Sequence, residues 1–233
     1  MTIKLYDLAA TQNRRLSPFC WRIKYALAHK GLAFETVPLG FSEIRGHAGS
    51  DFKTVPSIED KGRLINDSWA IADYLDAAYP DHAPLFASTG ERAAIRFFDN
   101  WFGLEIMNRM FGLYVLDIHN VAFPQDHAYF RESREKRLGG MTLEAFTRDR
   151  EARLPELRHA LRPLRATLAQ QPWLGGETPN YADYIALGGF LWVASVNTLP
   201  PLEQADTLND WLSRGFALYG GIARDAKRHP LSA

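Results

Sequence analysis

"LSPFCWRIKYALAHKG", residues 16–31, decides how the first half of the chain is read. Ser17 is a good N-cap, and Pro18 follows at the first helical position, where its missing N–H costs nothing. Cys20, Ile23 and Leu27 then share one helical face with Leu16 just ahead of it, so the cysteine is expected to point into the core. A thioredoxin-type redox pair would carry cysteine at both 17 and 20. Here the first position is serine, and Cys20 is the single cysteine of the 233 residues. Ser17 falls at a helix tip, where free N–H groups and the helix dipole favour a negative atom. A hydroxyl there cannot exchange disulfides, but it can donate a hydrogen bond to a thiolate brought by another molecule. Thiols at such tips lose from about one to several units from a pKa of about 8.5. The plainer reading is an N-cap over an inert buried cysteine, and these four residues leave both open.

The surroundings supply a frame. "IKLYDL" (3–8) reads as a strand, residues 17–30 as a helix and "AFETVPL" (33–39) as a second strand. "VPSIED" (55–60) and "GRLIND" (62–67) form two short strands around the turn Asp60-Lys61-Gly62. "DSWAIADYLDAAYP" (67–80) is a helix stopped by Pro80. The order βαβ followed by ββα is the thioredoxin-like pattern. After residue 90 no strand signal appears. Apolar residues at 94, 97, 98, 101, 104, 111 and 115 predict a long helix from Glu91 to about Asn120. Residues 151–170 predict an amphipathic helix kinked at Pro155 and Pro163. Residues 182–196 are apolar on every side, as in an enclosed helix. The expected architecture is an α/β thioredoxin-like domain over 1–83 and an all-α domain over 90–233.

Two further stretches bear on the choice at Ser17. "TVPSI" (54–58) puts Pro56 where a strand is expected, the place of a cis-proline facing the site in thioredoxin-like domains. A cis bond there would turn the Val55 N–H and C=O outward to pair with an extended peptide. "NDSWAIADYL" (66–75) opens its helix with Asp67-Ser68, two good N-cap residues whose helix tip suits a carboxylate. Ordinary capping and an edge-strand proline remain the bland alternatives.

Ser17, Val55-Pro56 and Asp67-Ser68 stand where glutathione S-transferases bind glutathione, and the chain resembles that family over nearly its whole length. "PNYADYIALGGFLW" (179–192) looks like the family's capping motif in the second domain, with Asn180 as N-cap and Asp183 at N3. The segments "SPFCWRIKYAL", "DSWAIADYLD", "DNWF", "PQDHAYFRESRE" and "WLGGETPNYADY" bring it nearest to the bacterial β-etherase branch and its fungal etherase-like relatives. The resemblance implies that Ser17 stabilises the glutathione thiolate, that Val55 binds the cysteinyl backbone, and that Asp67 with Ser68 binds the γ-glutamyl group. Many relatives carry a basic residue directly before Val-Pro. This chain has Thr54 there and Lys53 one step earlier, which leaves Lys53, Arg45 and His47 as candidates for the glycyl carboxylate. An apolar pocket for an aromatic electrophile is expected from the helical domain, with Phe19, Trp101, Met107, Met110 and Tyr114 as candidate lining; by periodicity Trp101, Met107, Met110 and Tyr114 are mostly core, with one or two of them facing the cleft. The implied activity is thiolate attack on aromatic electrophiles, extending in this branch to cleavage of lignin-type β-aryl ethers. A generic detoxifying transferase and a non-catalytic ligand-binding protein are the alternatives. The resemblance also implies a homodimer.

Composition narrows the classes. Lys plus Arg and Asp plus Glu number 27 each, so no net field draws the chain to nucleic acid or anionic lipid. No apolar run reaches a membrane span, "MTIKLYDLAA" has no signal-peptide stretch, and a lone cysteine fits a reducing compartment, so the expected location is cytoplasmic. The seven histidines show no zinc-type spacing, and no metal site is expected. His119, Asp126 and His127 flank "NVAFP" as an expected polar loop. Asp99 and Asn100 are read as interhelical or cleft-lining groups, and "RESREKR" (131–137) as a solvated helix face.

Overall fold

The computed structural model describes residues 2–224 and 227–231. Strand β1 (Ile3–Ala10) is the spine of the sheet. The two-residue β2 (Arg14–Arg15) folds back onto its end, pairing with Ala9 and Ala10. Helix α1 (Pro18–His29) then crosses over to β3 (Phe34–Leu39), which runs parallel to β1 with Ile3 opposite Phe34 and Leu8 opposite Leu39. On the other side of β1 lies antiparallel β4 (Ser57–Asp60), with Leu5 opposite Ile58, and beyond it antiparallel β5 (Arg63–Asn66). The positive φ of Lys61 and Gly62 makes the tight turn between them. Helix α2 (Ser68–Ala78) closes this thioredoxin-like domain.

The rest is helical. Where the periodicity predicts one long helix there are two, α3 (Thr89–Trp101) and α4 (Asn108–Val121), joined by a π-helical segment at Phe102–Met107. The extra residue per turn rotates the pattern, and Gly103, Leu104 and Met107 of this segment border the interdomain cleft. Helices α5 (His127–Arg137) and α6 (Leu143–Thr147) follow. The expected kinked helix over 151–170 is instead two short ones, α7 (Leu154–Ala160) and α8 (Arg162–Leu168), broken at Leu161. Pro155 and Pro163 each sit in a first turn, where no N–H is needed, so they start helices rather than bend one. Helix α9 (Tyr181–Val196) is buried at all its positions, and α10 (Leu208–Gly221) packs beside it.

Helix α9 joins the two domains. A side chain at Gly188 would bring its Cβ within 2.4 Å of the Pro18 carbonyl oxygen, so glycine there sets how closely α9 approaches the start of α1. The capping box at its own start is present, with Asn180 accepting from Ala182 and Asp183 accepting from Asn180. Asp183 also accepts from the Leu174 and Gly175 amides and the Trp211 indole, so one buried carboxylate ties α9, α10 and the preceding loop together.

Candidate active site

The tip of α1 opens onto a cleft of about 820 Å³ between the domains. Ser17 is the N-cap of α1: its Oγ accepts from the Cys20 amide at 3.1 Å, and its own proton remains to be donated. Only 4% of Ser17 is exposed, and it faces the cleft. Cys20 is fully buried, its thiol contacts the Tyr6 carbonyl at 3.8 Å, and burial pushes its pKa far up. A protonated, inaccessible thiol has no route to disulfide chemistry. That leaves serine as the group at the helix tip able to meet a sulfur.

Lys53, Thr54 and Val55 form the next stretch of wall, and the Val55–Pro56 peptide is cis. No described residue hydrogen-bonds the Val55 N–H or C=O. Asn66, unremarked in the sequence, straps this segment down: its amide donates to the Thr54 and Pro56 carbonyls, both at 2.9 Å, and its oxygen accepts from the Thr54 hydroxyl. Asp67 lies beside it with φ at 78°, an uncommon conformation for a residue with a side chain. Its amide donates to the Pro56 carbonyl, and its carboxylate caps α2 by accepting from Trp69 and Ala70. Ser68 is buried, and its carbonyl accepts from Tyr181 of α9 at 2.9 Å, so the second helix tip is also tied to the helical domain.

The proposed carboxylate partners separate. Lys53 is exposed on the cleft wall with no ion-pair partner among the described residues. Arg45 is exposed but does not line the cleft. His47 is buried and consumed internally: Nδ1 donates to the Ile44 carbonyl, which leaves Nε2 to accept from Ser57.

On the facing wall the candidates divide between cleft and core. Phe19 and Met107 line the cleft; Trp101, Met110 and Tyr114 do not. Met110 and Tyr114 are core residues, and the Tyr114 hydroxyl donates to the Leu199 carbonyl at 2.8 Å. Phe41, Ile44, Phe111, Tyr129, Phe130 and Trp192 supply the apolar surface instead. Asp99 and Asn100 both border the cleft, and Asp99 is bound by the nearly buried Arg22 at 2.8 Å.

Two expectations for this wall fail. Asp126 is not in a polar loop; it is fully buried and reaches across to the first domain. It accepts from the amides of Phe41 and Ser42, at 2.8 and 2.9 Å, and from the Ser42 hydroxyl at 2.6 Å. That fixes the short helical turn at Phe41–Glu43, and the Phe41 ring then meets Phe130 edge-on at 4.8 Å. Nor is "RESREKR" uniformly a solvated face: Arg134 and Arg137 turn onto the cleft.

Fold and site together define a two-domain protein, a thioredoxin-like domain presenting a serine at a helix tip to a cleft roofed by helices. The N-terminal domain profile of glutathione S-transferases matches residues 16–78 and the C-terminal domain profile matches residues 93–211. The chain belongs to the glutathione S-transferase family. Among curated relatives, glutathione S-transferase Z2 of Arabidopsis thaliana is 39% identical over 83 residues, 33% of this chain and 36% of that one. A maleylacetoacetate isomerase of Dictyostelium discoideum is 30% identical over 83 residues, 33% of this chain and 38% of that one. The match thus spans little more than a third of these relatives' length. Among solved structures, a glutathione S-transferase of Ceriporiopsis subvermispora in complex with glutathione superposes with a TM-score of 0.81 at 23% identity, covering 94% of this chain and 98% of that one. A glutathione transferase of Phanerochaete chrysosporium gives 0.74 at 26% identity, covering 95% and 92%. No helix among the described residues is long and apolar enough to cross a membrane.

Proposed function

We propose that the protein is a glutathione transferase in which Ser17 holds the glutathione thiolate at the tip of α1. The observation that carries this reading is the Ser17 hydroxyl, its oxygen occupied by the Cys20 amide and its proton free to be donated at the mouth of a largely apolar cleft. Glutathione lies across the tips of α1 and α2. The Val55 N–H and C=O pair with its cysteinyl backbone and Lys53, on the same cleft wall, faces the glycyl carboxylate, while Asp67 and Ser68, which are outside the cleft lining at the start of α2, receive the γ-glutamyl group. The second substrate is an aromatic electrophile seated in the cleft against Phe19, Phe41, Met107 and Phe130.

For a β-aryl ether next to a ketone, the thiolate sulfur forms a bond to the carbon bearing the ether oxygen. The carbon–oxygen bond breaks, its electron pair leaves on the aryloxide, and water protonates that aryloxide to the phenol. The ketone makes the neighbouring carbon electrophilic, so the matching alcohol reacts far more slowly. The etherase-like segments of the sequence favour this class of substrate. Incubation with glutathione and a fluorogenic ketone ether should release the phenol, with little release from the alcohol. No release from several ketone ethers, with glutathione binding intact, would mark a transferase for other electrophiles. Ser17→Ala should raise the thiol pKa of bound glutathione by about one to two, as loss of one hydrogen bond to a charged sulfur implies. Thiolate absorbance against pH reads it, and an unchanged titration removes Ser17 from its role. The protein acts as a homodimer in this reading. Phe97, 75% exposed and outside the cleft lining, is available for contact, and sedimentation distinguishes dimer from monomer.

A further inference from the structure

The three arginines of α5 are treated differently by the fold. Arg131 is neutralised twice, by Glu135 at 2.7 Å and by Glu144 through two bonds of 2.7 and 2.9 Å. Arg134 and Arg137, on successive turns after it, have no carboxylate partner among the described residues. Arg134 instead lies over the rings of Phe130, at 4.8 Å, and Phe41, at 5.7 Å, and donates to the Ser133 hydroxyl. Arg137 lies over Phe111 at 5.7 Å. Both guanidinium groups line the cleft that Ser17 opens onto. Burial and the nearby Arg137 lower the Arg134 pKa, opposed by Tyr129, so the two cations disfavour each other where they stand.

The charge of the whole cleft points the same way. Its lining holds four cations, Arg22, Lys53, Arg134 and Arg137, against one carboxylate, Asp99, which Arg22 already binds. Both guanidinium groups lie over phenylalanine rings, and apart from the bond from Arg134 to Ser133 no hydrogen bond among the described residues uses their N–H groups, an arrangement suited to a carboxylate beside an aromatic ring. We infer that the second substrate is an aryl compound bearing an acidic group, a carboxylate or its equivalent, held by Arg134 and Arg137 while its ring packs among Phe41, Phe111 and Phe130. This rests on the transferase reading above and names the class of electrophile that the reading leaves open.

The test is a binding measurement, so that it is independent of turnover. Protein saturated with glutathione is titrated calorimetrically with 4-phenoxybenzoate and with the uncharged 4-phenoxybenzamide. The acid should bind at least tenfold tighter than the amide in the parent protein, a preference that shrinks with added salt. Arg134→Met with Arg137→Met should remove the preference and leave the amide within twofold, whereas Arg134→Lys should keep most of it. If the double variant fails to fold, Arg137→Met alone, at an exposed position, should still reduce the preference several-fold. Equal affinities in the parent protein overturn the inference. So does equal loss of acid and amide in the variants, which would make the arginines packing residues. A weakened glutathione dissociation constant with unchanged preference would assign them to the tripeptide instead. Absence of phenol release in the turnover assay, with the acid preference intact, would fail the etherase chemistry alone.

Discussion

The two walls of the cleft are built by different physics. On the thioredoxin-like side the functional groups sit at helix starts and beside a proline, where caps within a few residues set the backbone at Ser17 and Asp67; the longer ties are Asn66 to the Thr54–Pro56 segment and Tyr181 to the Ser68 carbonyl. On the helical side nothing of the kind operates. Phe41, Phe130 and Arg134 come together because a buried aspartate 85 residues from Phe41 pulls a loop across the domain boundary. A wall made of caps should survive substitutions elsewhere; a wall made of one long-range clamp should not.

Removing the clamp is the severest way to break this contrast. Asp126→Ala leaves the Phe41 amide, the Ser42 amide and the Ser42 hydroxyl without their acceptor. A stranded buried donor such as the Phe41 amide costs about 1–3 kcal/mol, while the two donors of exposed Ser42 rehydrate, so a loss of roughly 3 kcal/mol in stability is the upper expectation. Denaturant unfolding measures it. Glutathione affinity of the folded fraction should fall less than twofold, since neither helix tip depends on Asp126. An equal collapse of glutathione affinity would show that the walls are not separable.

The converse substitution attacks the local wall from beneath. In Gly188→Ala the new Cβ would meet the Pro18 carbonyl at 2.4 Å and the Arg22 amide at 3.4 Å, so α1 and α9 must move apart. Overpacking of this kind costs roughly 1–3 kcal/mol. Because the displaced atoms are those of the first turn of α1, Ser17 moves with them. We expect a stability loss of about 2 kcal/mol together with a raised thiol pKa for bound glutathione, read by thiolate absorbance. A destabilised protein with the thiol pKa unchanged would mean that the turn shifts as a rigid unit and carries its helix tip intact.

The same contrast explains what the sequence discloses. The six strand or helix assignments over residues 3–80 come within a few residues of the observed ends, because they are punctuated by proline, glycine or a cap. The enclosed α9 was legible from apolar residues on all sides. The misreadings cluster where chain separation is large. Met110 and Tyr114 follow the right helical stripe, but periodicity says only that they are covered, and other helices rather than the cleft do the covering. The expected stripe already fails in α3, where positions 94 and 97 are exposed and Ile95 is the buried residue, and the π-helical segment then shifts the phase into α4. Arg134 in a run of alternating charges has the composition of a solvated face. Its sequence contained one available hint: Arg131 has Glu135 four residues on, whereas Arg134 has Leu138 and Arg137 has Met141 in the corresponding place.

The smallest effect belongs to a joint that touches neither wall. At the far end of α1, His29 Nε2 donates to the Pro84 carbonyl at 3.1 Å, which leaves Nδ1 to accept one proton from the hydroxyl pair of Tyr184 and Tyr219, 2.7 and 3.2 Å away. The other proton of the pair lies between the two hydroxyl oxygens, so the ring serves this network as a neutral group. Burial holds the His29 pKa below its ordinary 6.5, opposed by the Pro84 carbonyl and assisted by Lys30. An unfolded histidine titrates near that ordinary value. Between it and the lower folded value the unfolded chain therefore binds the proton and the native one does not. Stability from this joint is fully present above about pH 6.5, on the reference value for histidine, and is lost as the pH falls through the window. His119 and His229 are also lowered by burial and add slopes of the same sign, so the contribution of His29 must be read as a difference. Thermal unfolding from pH 7.5 to 5.5 should show a shallower fall in midpoint for His29→Gln than for the parent, with the same glutathione affinity at pH 7.5. Parallel curves would place the acid sensitivity in the other two histidines. An affinity change at pH 7.5 would show that the far end of α1 is mechanically coupled to its tip, and the separation of the walls would then stop short of the helix that carries Ser17.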